Sequence, residues 1–199
     1  MKNAKKQIQF IAVNGILAAI VCIVSFLPIR TLGLEITLSM VPVAIGAALY
    51  GPLSGALLGG VFGVVSFLQC LGYSPFGAIL LSIDPVKTSL VCIPTRILAG
   101  LLAGLFVLWI KKATHKSGSF IAFTVGCVAA PVLNTVFFMS TLCLCFYNTE
   151  FIQGFVTTLG ASNPATFILL FVGVNGLVEI LCGTVLALPL AKALSKAVK

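Results

Sequence analysis

Acidic residues are nearly absent from this chain. Asp84 is the only aspartate, and Glu35, Glu150 and Glu179 are the only glutamates, so a catalytic aspartate pair is excluded. Histidine occurs once, as His115 in a basic loop, which excludes an HExxH metal site. No Walker A sequence is present, so ATP hydrolysis of the P-loop kind is not carried by this chain. The seven cysteines (22, 70, 92, 127, 143, 145 and 182) include no CxxC pair. Cys143-x-Cys145 lacks the further Cys or His ligands of a metal site, and the cysteines read as small buried hydrophobes. These gaps predict no enzyme activity, no metal and no cofactor. An inverted repeat of the secondary-transporter kind is also missing.

Charge of either sign is scarce. Charged residues make up 8% of the 199 residues against 60% hydrophobic, and the mean hydropathy is +1.21. A soluble domain cannot cover its surface with so few charges. A bilayer must solvate the apolar remainder. At about 20 residues per span, about six spans and their loops consume the whole length. The expected fold is all-α and integral to the membrane: one domain over residues 1–199, with six transmembrane helices in one bundle.

The net charge of +8 does not signal nucleic acid, because the basic residues sit at helix ends without interleaved aromatics. Apolar runs cover roughly 8–27, 37–50, 52–72, 88–110, 119–146 and 165–191. The first follows lysines, as in a signal peptide, but lacks a small-x-small cleavage site and reads as a retained span. Lys2, Lys5, Lys6, Lys111, Lys112, Lys116, Lys192, Lys196 and Lys199 all fall on one side of such a bundle. Arg30, Lys87 and Arg96 fall on the other, with Glu35, Asp84 and Glu150. The positive-inside rule then places both termini in the cytoplasm.

Tyr50-Gly51-Pro52 predicts a tight turn, and Asn163-Pro164 a capped helix start. The second span is short for a crossing, and the fifth is long enough to tilt. Residues 73–87 are too broken by proline and glycine to span. In 147–164, Phe151, Ile152, Phe155, Val156 and Leu159 form one face of a short helix. That helix either rests on headgroups or covers an outward-facing pocket.

Gly51, Gly55, Gly59 and Gly63 recur every four residues, with Gly60 beside them, and form a groove for close helix packing. Gly100-x-x-x-Gly104 and Gly15-x-x-x-Ala19 offer similar surfaces. Their partners are either helices of this chain or another membrane subunit.

Polar residues at membrane depth need a reason, since a mid-span charge costs about 2.5–3.5 kcal/mol. Arg96 follows Pro94 in the fourth span, Asn134 lies in the fifth, and Asn175 and Glu179 share a face of the sixth. One reading pairs Arg96 with Glu179 to fix helix register. The other is an outward-open pocket. There Arg96 forks onto a substrate carboxylate, Asn134 and Asn175 meet amides or hydroxyls, and Glu179 accepts from a hydroxyl or steadies Arg96. Gln69 and Tyr73 would add rim contacts, and Pro94 would release a backbone carbonyl.

The stretch LSMVPVAIGAALYGPLSGALLGG, Leu38 to Gly60, carries a family resemblance. With about six spans and lysine-rich inner ends, the chain resembles the substrate-binding (S) component of an energy-coupling factor (ECF) transporter over essentially its whole length. The resemblance implies capture of a water-soluble vitamin at the outer face of a bacterial plasma membrane. It also implies partnership with a membrane T component and two cytoplasmic ATPases that drive release. The family's AxxxA docking motif falls on Gly15 and Ala19, with glycine replacing the first alanine; Ala12 and Ala18 are further docking candidates. Pro94-Thr95-Arg96 is most similar to the pantothenate type, and pantothenate's carboxylate, amide and hydroxyls suit the arginine and asparagines. Few aromatics are expected in the pocket, which disfavours riboflavin, folate or thiamine rings. Biotin also suits an arginine. A self-contained transporter gated by Arg96 and Glu179, and a ligand-free scaffold subunit, are the readings from other classes.

Overall fold

The computed structural model describes residues 2–27, 30–31, 34–35, 38–114 and 120–197, with side chains described for 4–27, 38–114, 121–173, 176, 181 and 184–194. Among the described residues, regular structure is helical apart from one short antiparallel ladder, β1 (Arg30–Thr31) with β2 (Leu34–Glu35). The helices are α1 (Lys2–Ser25), α2 (Met40–Tyr50), α3 (Pro52–Gln69) and α4 (Pro75–Ile83). They continue with α5 (Pro85–Ala113), α6 (Phe120–Phe146), α7 (Glu150–Thr158) and α8 (Pro164–Ala197).

Among the described residues, four helical stretches are long and apolar enough to cross a membrane: Ala4–Ser25, Pro52–Gln69, Pro85–Ala113 and Ile121–Phe146. The expected second span is shorter than anticipated. α2 has 11 residues, about 16 Å at 1.5 Å per residue, roughly half a bilayer core. It compensates by being central: Met40 to Ala48 are all buried, against α1, α3, α5, α6 and α8. The expected sixth span is α8, whose helical geometry breaks at Gly173 (φ 31°, ψ −123°). That left-handed φ is open to glycine and strained for other residues.

Helix ends follow the local chemistry. The Asp84 carboxylate accepts from the backbone N–H groups of Val86 and Lys87 at 3.0 Å each, and Pro85 fills the first turn of α5. Asn163 Oδ1 accepts from Thr166 N at 2.8 Å, while Thr166 Oγ1 accepts from Asn163 N at 3.0 Å. This reciprocal cap starts α8. Gly51 turns the chain from α2 into α3 with φ 84°.

The glycine groove of α3 is filled from within the chain. A Cβ on Gly55 would collide with the carbonyl of Gly100, one on Gly59 with the carbonyl of Arg96, and one on Gly63 would lie 2.9 Å from Ile93 Cα. A Cβ on Gly104 would come within 2.5 Å of Pro52 N. As α3 advances one turn, α5 retreats one turn, so the two run antiparallel with backbones in contact. This seam answers the question of partner for these glycines: α5 occupies the groove, and no other subunit can.

Two apolar clusters lie along the bundle. One joins α1, α2, α3, α5, α6 and α8 around Leu17, Val43, Leu58, Phe62, Ala103 and Cys127. The other lies under α4 and α7, around Leu80, Val91, Met139, Phe146, Ile152 and Phe167. α7 does not rest on headgroups alone. Ile152 and Val156 are buried, and Phe76 of α4 meets the rings of Phe151, Phe155 and Phe171 at centroid distances of 5.4, 6.0 and 5.9 Å. α4 and α7 therefore form a cap packed onto the bundle.

Candidate functional site

Arg96 is the buried charge of the described bundle, 6% exposed on α5 two residues after Pro94. Its Nη1 donates to Cys92 O at 2.9 Å and to Val91 O at 3.3 Å, and Thr95 Oγ1 donates to Val91 O at 2.5 Å. The carbonyls of the turn disturbed by Pro94 are thus covered by side chains of the next turn. Two rings flank the guanidinium, Phe62 of α3 with its centroid 4.6 Å from Cζ and Phe138 of α6 at 5.2 Å. Ring quadrupoles and carbonyl dipoles together offset the cost of holding a cation away from water.

Asn134 lies one turn before Phe138 on the same face of α6. It is 7% exposed, and among the described residues its Oδ1 has no hydrogen-bond partner. An unmet buried acceptor costs about 1–3 kcal/mol. The Oγ1 of Thr184, on α8, is also buried without a partner among the described residues. Phe138 and Val91, both in contact with Arg96, also belong to the apolar cluster beneath α4 and α7. The cap therefore roofs the arginine.

The other expected ligand residues are placed elsewhere or outside the description. Gln69 is buried, and its Nε2 donates to Ser25 O at 2.5 Å; Ser25 Oγ in turn lies 2.7 Å from Ser39 Oγ. Tyr73 donates its hydroxyl to Phe26 O at 2.6 Å and sets its ring edge-on to Phe26 at 5.2 Å. Gln69, the last residue of α3, and Tyr73, in the turn after it, thereby tie this end of α3 to the end of α1. The side chains of Asn175 and Glu179 lie outside the described residues, so the Arg96–Glu179 pairing does too.

Few aromatics are expected in the pocket from the sequence, and two rings, Phe62 and Phe138, lie against Arg96. No spacing in the sequence pairs these rings with Arg96, since Phe62 lies on α3 and Phe138 on α6. A second buried polar link joins α1 to α3: Ser54 Oγ donates to Asn14 Oδ1 at 2.5 Å, and Asn14 Nδ2 donates to Phe10 O at 2.8 Å.

Of the expected docking residues, Ala12, Gly15 and Ala19 are exposed along one face of α1, and a Cβ on Gly15 would meet nothing within 4 Å. Ala18 instead packs against the core and drops out of that face.

A family model for the ECF transporter substrate-specific component matches residues 9–191. The chain belongs to this family. The match runs from the first turns of α1 into the last part of α8, so it takes in the glycine seam, the Arg96 site and the cap. No curated protein matches the sequence. Members of this family are multi-pass membrane subunits that bind substrate for transport and are not themselves enzymes.

Proposed function

We propose that this S component captures a water-soluble vitamin bearing a carboxylate, with pantothenate the first choice, and delivers it inward through a T component and two ATPases. The observation that carries this reading is the buried Arg96 against Phe138, with Asn134 one helical turn from that ring and its Oδ1 without a partner among the described residues. A guanidinium fork matches a carboxylate. An amide oxygen awaiting a donor matches a hydroxyl or amide N–H, and pantothenate carries both. Asn175 and Glu179 complete the polar lining in this reading, in a single domain of six spans with both termini in the cytoplasm. The cap of α4 and α7 lies over the ligand at the outer face.

Phe62 and Phe138 support a second reading within the same class. A ring-bearing vitamin such as riboflavin or folate, or the bicyclic biotin, could pack against these faces. Partner docking on the exposed Ala12–Gly15–Ala19 face of α1 completes the proposal, because small residues let a second backbone approach.

The test is isothermal titration of pantothenate into the detergent-purified chain and its Arg96→Ala variant, with biotin, riboflavin and folate as comparisons. Saturable one-to-one binding of pantothenate, lost in a folded variant, supports the reading. Binding of another vitamin alone transfers the site to it. No binding of any of these ligands overturns the substrate proposal.

A further inference from the structure

A groove of about 580 Å³ opens between the N-terminal part of α1 and the C-terminal end of α2, far along the bundle from Arg96. Lys6, Gln7, Gln9, Phe10, Ile11 and Tyr50 line it. Its wall is held in shape by an edge-to-face contact of Phe10 with Tyr50, centroids 5.3 Å apart. We propose that this groove is a binding site for an anionic phospholipid, whose phosphate meets Lys6 and whose acyl chain lies along Phe10 and Ile11.

The groove lies at headgroup level. Trp109 of α5 is 70% exposed and sits just before Lys111 and Lys112, the pattern of an interfacial aromatic with flanking cations. The antiparallel seam places this end of α5 beside the α2–α3 turn: Gly51 and Pro52 contact Gly104, and Leu108 lies against Gly51. Tyr50 belongs to the same turn. Ile8 and Ile11, 66% and 69% exposed, continue the apolar surface from the groove toward the acyl region.

Electrostatics favours an anion there. The N-terminal end of α1 carries the positive end of its helix dipole together with Lys5 and Lys6. The C-terminal end of α2 would oppose this with its carbonyls, but Lys111 Nζ caps Ala48 O at 2.8 Å. The lining chemistry then selects the ligand. A small soluble anion gains nothing from Phe10 and Ile11, and a neutral lipid gains nothing from Lys6. Gln7 and Gln9 add amide donors for phosphate or glycerol oxygens. Basic pockets between helices at the cytoplasmic side are known receptors for anionic headgroups.

Native mass spectrometry of the full chain tests this, from micelles doped with equal phosphatidylglycerol and phosphatidylcholine. The expected result is retained phosphatidylglycerol, with its preference reduced about fivefold in Lys6→Gln. Lys112→Gln, another exposed inner lysine, should leave it within twofold. Ile11→Trp, which fills the groove and keeps every charge, should also remove the preference. Equal losses in Lys6→Gln and Lys112→Gln, or an unchanged preference in Ile11→Trp, would overturn the site in favour of diffuse attraction to the basic rim. All three positions are solvent- or lipid-facing, so folding is preserved, and a retained melting temperature verifies it.

Discussion

Gly55 and Gly100 face each other across the α3–α5 seam so closely that a Cβ on either would run into the carbonyl of the other. The same seam continues to Gly59, whose missing side chain leaves room for the carbonyl of Arg96 itself. The position of the buried arginine is therefore set by glycines on the neighbouring helix.

Substituting the seam should unfold the site. Gly55→Leu is expected to cost at least about 1–3 kcal/mol from overpacking, with thermal unfolding in detergent as the measurement. Gly15→Ala, where a Cβ meets nothing, should cause no loss. Equal behaviour of the two variants would contradict the seam.

Asn134→Leu should separate stability from binding. Removing an unmet buried acceptor is expected to raise the stability of the ligand-free protein by about 1–3 kcal/mol, while vitamin affinity falls. A higher melting temperature without ligand, paired with weaker titration heats, is the expected signature. A lower melting temperature would mean that the amide is already satisfied.

Phe138→Leu should weaken the hold on Arg96 without changing charge. Loss of one ring face is expected to cost about 0.5–2 kcal/mol, seen both as reduced stability and as weaker ligand binding. Arg96→Lys should lower affinity at least tenfold, because an ammonium lacks the planar fork and stacks poorly.

Gln69→Leu should reduce stability by about 1–3 kcal/mol, since it strips the donor from the buried Ser25 carbonyl. Affinity in the folded fraction should be unchanged. A selective loss of affinity with stability intact would return Gln69 to the ligand site.

Asp84 gives a pH signature at the start of α5. The backbone N–H of Lys87, and after it the Lys87 side chain 3.3 Å away, hold its carboxyl below the usual value of 3.8. A lowered pKa means that the folded state favours the carboxylate. Its stabilisation is therefore present above about pH 4 and is lost as pH falls through the depressed folded value. Asp84→Ala should melt lower than the parent at pH 7, and the two melting temperatures should converge at strongly acidic pH.

Much of this architecture was legible in the residues. Scarce charge with long apolar runs specified a membrane chain, and Gly51-Pro52 and Asn163-Pro164 marked helix starts that the structure keeps. Four-residue glycine spacing announced a close backbone approach. Arg96 and Asn134 stood out because polar groups at depth are costly, and both are buried in the bundle. These features are local or periodic, so one chain suffices to read them.

Contacts between distant segments were decided only by tertiary packing. Gln69 bonds to the carbonyl of Ser25 at the end of α1 and Tyr73 to that of Phe26 just beyond it, each more than 40 residues away. The rings that flank Arg96 come from α3 and α6, and no spacing in the sequence specifies that meeting. Ala12, Gly15 and Ala18 are alike in sequence, and only the rotation of α1 against the core exposes the first two and packs the third. A hydrogen bond or ring contact depends on which faces meet. Sequence periodicity defines the faces of each helix, and the packing of the whole bundle selects their partners.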